Sequence, residues 1–130
     1  VGASSNPQAA GFVLEMVKTI RGLGGIAVTS TQGMQDLFGL EGGKYGKGIL
    51  DSSRIKLIMQ MEEQEARLIQ NVLNLSEDEV RQITRFRRGE GLLCIGYNHV
   101  PIAFHASQQE YDIITTSPTD LHRRAKEESV

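Results

Sequence analysis

At 130 residues, with 39% hydrophobic and 23% charged side chains, the chain has the size and composition of one ordinary globular domain or part of one. A net charge of −2 and a pI near 5.9 speak against nucleic-acid binding by bulk charge, though not against a local basic patch. The single Cys94 excludes an internal disulfide and suits a reducing compartment, and the apolar runs are too short for a membrane span or a signal-peptide core.

Residues 1–7 (VGASSNP) read as a polar lead-in. Ala9, Phe12, Val13, Met16, Val17 and Ile20 then recur at spacings of three and four, a helical stripe that Gly22 to Gly25 bring to a stop. Ile26, Ala27 and Val28 follow as a short buried strand running into Thr29, Ser30, Thr31 and Gln32. Helix, glycine turn and apolar strand make half of a βαβ unit and point to a mostly parallel sheet. Residues 33–53, rich in glycine and without long periodicity, read as a loop or a set of short turns. Arg54 to Met61 is a second buried strand, and Glu62 to Leu73 an amphipathic helix with acidic residues where its dipole favours them.

Ser76 and Glu79 stand at capping-box spacing ahead of Val80, Ile83 and Phe86, so a second helix follows directly. Gly89 to Gly91 end it. Leu92–Tyr97 and Val100–His105 form a C-terminal β-hairpin about Asn98 and His99. A second capping-box spacing, Ser107 and Glu110, opens a short helix through Tyr111 and Ile114, and from Pro118 the chain is charged and expected to fray. The order of elements is that of an α/β fold, with residues 1–117 as the folded portion and 118–130 as a disordered tail.

Most candidate motifs yield to plainer readings. "GGKYGKG" at 42–48 lacks the G-x-x-x-x-G-K-[ST] spacing by which backbone amides wrap a phosphate, and reads as a turn-rich loop. His99, His105 and Cys94 cluster about the hairpin without zinc-ligand spacing. A Ser-His-Asp arrangement would lack its nucleophile elbow. "RFRRGEG" at 85–91 could be a nucleic-acid patch, but a helix C-terminus whose charges suit the dipole is the favoured reading, since the chain has no overall basic face. Gln32 stays open: a strand-end amide can bond to a turn, or it can orient a water beside a ligand without adding charge.

Three segments in order resemble the C-terminal part of the ATPases that energise conjugative type IV secretion, within the HerA/FtsK superfamily of RecA-like motors. They are "FVLEMVKTIRGLGGIAVTSTQGMQDLF", "GILDSSRIKLIMQMEEQEARLIQNVLNLSEDEV" and "RRGEGLLCIGYNHVPIAFHASQQE". The resemblance implies a partial RecA-like P-loop NTPase lobe whose Walker A and Walker B motifs lie upstream of Val1. It implies that Gln32 is the γ-phosphate and water sensor, that Thr31 and Asp36 flank it, and that Arg54 or Arg67 reaches across a subunit boundary to bound nucleotide. ATP and magnesium then belong to the intact parent, with no tight binding or hydrolysis by this chain alone.

The same resemblance implies a cytoplasmic protein at the inner face of the cell membrane, without membrane insertion. Its parent would be a hexamer working with other secretion-system proteins, and DNA is a further partner. For the isolated chain an unpaired apolar strand edge implies a dimer or swapped oligomer. Two alternatives stand beside this reading: a DNA-translocating motor outside conjugation, and a stand-alone, non-catalytic interaction module.

Overall fold

The computed structural model describes residues 6–39 and 41–127. Helix α1 (Pro7–Thr19) begins as its sequence dictates: Pro7 needs no amide partner at the first helical position, and the Asn6 side chain accepts the Gln8 N–H at 2.9 Å. A 3₁₀ turn at Ile20–Leu23 continues it until Gly24, at φ 73°, turns the chain into the left-handed region.

An irregular stretch then leads to α2 (Met34–Phe38), a 3₁₀ turn (Glu41–Gly43) and α3 (Lys44–Ser52). The glycine-rich segment read as a loop is therefore largely helical. Its glycines lie in packed positions: Gly46 is buried, and a Cβ at Gly48 would lie 2.8 Å from Leu14 Cδ1, so the Leu14 side chain of α1 rests close on α3 there. Buried Ala10 and Ile49 complete this layer.

Strand β1 (Ile55–Met59), helices α4 (Glu63–Leu73) and α5 (Glu77–Arg85), and strands β2 (Glu90–Ile95) and β3 (Asn98–Ala103) form the second unit. The sheet order is β1-β2-β3, antiparallel throughout, so the α/β class holds but the described residues do not form the expected parallel sheet. The reason is connectivity: two helices in succession return the chain to the end at which β1 finishes, and β2 runs back alongside it. The hairpin turn also differs from the expected Asn98-His99. Ile95 pairs with Asn98, leaving Gly96 and Tyr97 as the loop, and Gly96 at φ 61° supplies the positive φ that a tight two-residue turn needs at its first corner.

One sheet face meets the helices. Ile58, Leu92 and Cys94 join Ala66, Ile69, Leu75, Val80 and Ile83 in a single core. Leu75 is buried just after Asn74 ends α4 in the left-handed conformation. On the opposite face Ile55, Leu57, Met59, Ile95 and Val100 stay exposed, an apolar surface that no other described element covers.

Helix α6 (Gln108–Ile114) opens with the expected Ser107–Glu110 capping box. Residues 118–127, read as a fraying tail, form α7 (Pro118–Glu127): Pro118 starts it, and the Tyr111 hydroxyl donates to Asp120 in its first turn at 3.1 Å. Residues 1–5 of the lead-in and 128–130 of the tail lie outside the described residues. Among those described, no helix is long and apolar enough to cross a membrane.

Candidate functional site

The segment expected to be a buried strand at 26–28 has no ladder partner among the described residues. Ile26 is 88% and Val28 90% exposed. Beyond it, Thr31 makes a local turn: its Oγ1 accepts the Gly33 N–H at 3.3 Å and donates to the Gly33 carbonyl at 3.1 Å. Gln32 forms the tip of that turn and is exposed, and its side-chain amide has no hydrogen-bond partner among the described residues. Gly33 is the N-cap of α2, and the Glu65 carboxylate accepts the Met34 N–H at 3.2 Å. Gln32 is thus held out to solvent between its own Thr31 turn and an anchor on α4. The Asp36 side chain lies outside the described residues.

Arg67 sits two residues beyond Glu65 on α4. It pairs with Glu77 at 2.7 Å and Glu63 at 3.3 Å and donates to Gln70 at 3.0 Å. The hydrogen bonds to Glu77 and then Glu63 hold its guanidinium above the usual arginine range, and Arg67, then Gln70, hold Glu77 below the usual carboxylate range. Arg54 is exposed just before β1, where its carbonyl accepts the Gly96 N–H at 3.2 Å. Glu65 therefore ties the Gln32 turn to the helix that carries Arg67, while Arg54 stands at the hairpin-turn end of the sheet.

Gly48 lies inside α3, where its amide is taken up in the helix, while Gly46 stands in the first turn, and neither belongs to a phosphate loop of G-x-x-x-x-G-K-[ST] spacing. Among the described residues, no three His, Cys, Asp or Glu side chains come together as a metal-binding group.

Sequence reasoning missed one polar cluster because its members are remote in the chain. His99 Nδ1 lies 2.6 Å from Glu79 Oε1, with side chains only 15% and 21% exposed. Glu79 Oε2 accepts the Ser76 N–H at 2.7 Å and its hydroxyl at 2.8 Å. Burial pushes the Glu79 carboxyl up, but the Ser76 bonds and His99 outweigh it and hold the group below the usual range. Cys94 faces His99 across the ladder, and burial, followed by the Glu79 charge, pushes its thiol up, so it stays an inert thiol.

No protein-family model matches the chain, and neither does any curated protein sequence. Among solved structures it is similar to VirB4 of Thermoanaerobacter pseudethanolicus, with a TM-score of 0.74 and 31% sequence identity over 82% of this chain. The chain spans 29% of the length of that structure.

Proposed function

The chain is a VirB4-like part of the conjugative and type IV secretion ATPase family, and on that premise we propose that it is the sensing and subunit-contact portion of the motor. The observation that carries the proposal is the Thr31 turn, anchored by Glu65, which presents to solvent a Gln32 amide without a hydrogen-bond partner among the described residues. A glutamine so placed can orient an attacking water and report the γ-phosphate without adding charge to the site.

Arg67 and Arg54 are the candidates to act on a neighbouring subunit's nucleotide. Arg67 would first leave Glu63 and Glu77, whereas Arg54 has no ion pair to break among the described residues. In this reading the remainder of a RecA-like lobe supplies the phosphate grip and magnesium ligands, and this chain alone binds nucleotide weakly and does not hydrolyse it. The uncovered sheet face and the exposed Ile26–Val28 segment are then docking surfaces for the rest of the motor or for another copy in a hexamer. ATP hydrolysis would power conjugative or secretory transfer from the cytoplasmic side of the membrane, with other secretion-system proteins as partners.

The test is Gln32→Ala in the intact VirB4-like protein. Phosphate release should fall about 10–1,000-fold, the range for losing one positioned transition-state group, with nucleotide affinity little changed. Unchanged turnover would remove Gln32 from the mechanism. Turnover by the 130-residue chain alone would overturn the division of labour.

A further inference from the structure

The "RFRRGEG" segment takes on a different meaning once folded. Only Arg85 lies in the last turn of α5, where the helix dipole favours a positive charge. Arg87 and Arg88 lie beyond the helix, in a turn closed by the Glu90 N–H on the Arg87 carbonyl at 3.0 Å. Gly89, at φ 86°, occupies the third position of that turn, as a type II turn requires, and leaves Arg88 at its corner. All three arginines are exposed, and among the described residues none has an ion pair.

Phe86, within the segment, is partly buried against the core, and the fold supplies an exposed aromatic partner from elsewhere. The Phe104 N–H donates to the Gly89 carbonyl at 2.7 Å, so a residue fifteen positions downstream lies directly against the arginine turn. Phe104 is 54% exposed, and His105 beside it is exposed as well. A shallow groove between α5 and the hairpin base, lined by Gln82, Phe86, Glu90, Pro101, Ile102 and Ala103, runs up to this turn. Phe86 and Glu90 bracket the arginine turn, and Ala103 precedes Phe104. The carboxylate nearest the turn, Glu90, accepts the Arg87 N–H at 2.8 Å, which offsets part of its charge. Glu110, further along, is held by Ser107.

We propose that Arg85, Arg87 and Arg88 with Phe104 form a binding site for single-stranded nucleic acid. The guanidinium groups take successive phosphates, the Phe104 ring stacks on one base, and the groove with Gln82 receives the neighbouring base. A duplex fits less well, because pairing hides the base faces that the ring would meet. This site is independent of the Gln32 reading, since it uses neither that turn nor α4.

The test is fluorescence anisotropy of the 130-residue chain with a fluorescein-labelled oligothymidylate of about 15 nucleotides, inside the site size of one small domain. Three phosphate contacts on a single strand should give a log–log salt slope of about −2. Arg87→Ala with Arg88→Ala should bring that slope to about −0.7. Phe104→Ala should weaken binding about 5- to 150-fold at constant slope. The chain has no tryptophan, so Phe104→Trp installs a single reporter that should keep binding and be quenched by unlabelled oligonucleotide. Far-UV circular dichroism verifies folding of each variant. The proposal falls if no binding is seen up to about 100 µM at low salt, the weak end of non-specific affinity. It also falls if folded Phe104→Ala binds as well as wild type, or if pyrophosphate displaces the oligonucleotide mole for mole.

Discussion

His99 Nδ1 and Glu79 Oε1 meet at 2.6 Å across twenty residues of chain, and the other oxygen of the same carboxylate caps α5 through Ser76. One side chain thereby fastens a helix start to the outermost strand of the sheet. Glu79→Ala should lower stability by about 1–3 kcal/mol, the range for bonds to a charged group that also closes a helix end. Because the folded-state carboxyl is depressed, its contribution is present above the unfolded carboxylate range and is lost as pH falls through the folded value. The gap in urea midpoint between wild type and Glu79→Gln should therefore be widest near neutrality and close in acid. A gap independent of pH would show that the charge plays no part.

Gly89 has a narrower tolerance than its place in a surface turn suggests. Its φ of 86° is strained for any side chain, and a Cβ there would sit 2.9 Å from the Phe104 carbonyl oxygen, a backbone atom with little room to yield. Gly89→Ala should cost about 1–3 kcal/mol through backbone strain and speed exchange of the Phe104 amide with solvent. An unchanged melting temperature would mean that the turn can flip without disturbing the hairpin.

What the sequence made legible was local. Both capping boxes sit at Ser-x-x-Glu spacing, and β1, α4, α5 and the hairpin strands follow patterns contained within a few residues. The errors arose where a distant partner decides. Glycines at 46 and 48 signal a loop, yet both lie in α3, and Gly48 sits close against Leu14 of α1. Ile26 to Val28 look like a strand, but a strand exists only beside a neighbour. The hairpin turn falls at Gly96-Tyr97 rather than Asn98-His99 because Gly96 takes the positive φ that its first corner requires. Neither the Glu79–His99 pair nor the meeting of Phe104 with Gly89 has any signature in sequence spacing.

The exposure of Ile26 and Val28 has a measurable consequence. Burying each side chain would contribute about 1.5–3 kcal/mol, so the isolated chain gains by covering them. At micromolar concentration it should scatter light as a dimer or larger species, and Ile26→Lys with Val28→Lys should shift it toward monomer without loss of helical circular dichroism. A wild-type chain that is monomeric under those conditions would show that this segment has no affinity for a second copy.

Arg67 separates a structural role from a functional one. Its partners Glu63, Gln70 and Glu77 are exposed or half-exposed, and ion pairs so open to water contribute little to folding. Arg67→Ala should therefore leave the thermal midpoint of this chain nearly unchanged. In the intact VirB4-like motor the same substitution should reduce phosphate release by about 10³-fold or more if Arg67 reaches a neighbouring subunit's nucleotide, since a trans-acting arginine has effects of that size. Lysine should not restore the rate, because it lacks the planar fork that spans two phosphate oxygens. Mixing Arg67→Ala with Gln32→Ala subunits sharpens the result. A residue acting in trans produces mixed interfaces that recover part of the turnover, whereas two residues serving the same subunit's site recover none. Full activity of Arg67→Ala would assign the trans role to Arg54, whose side chain has no ion pair among the described residues.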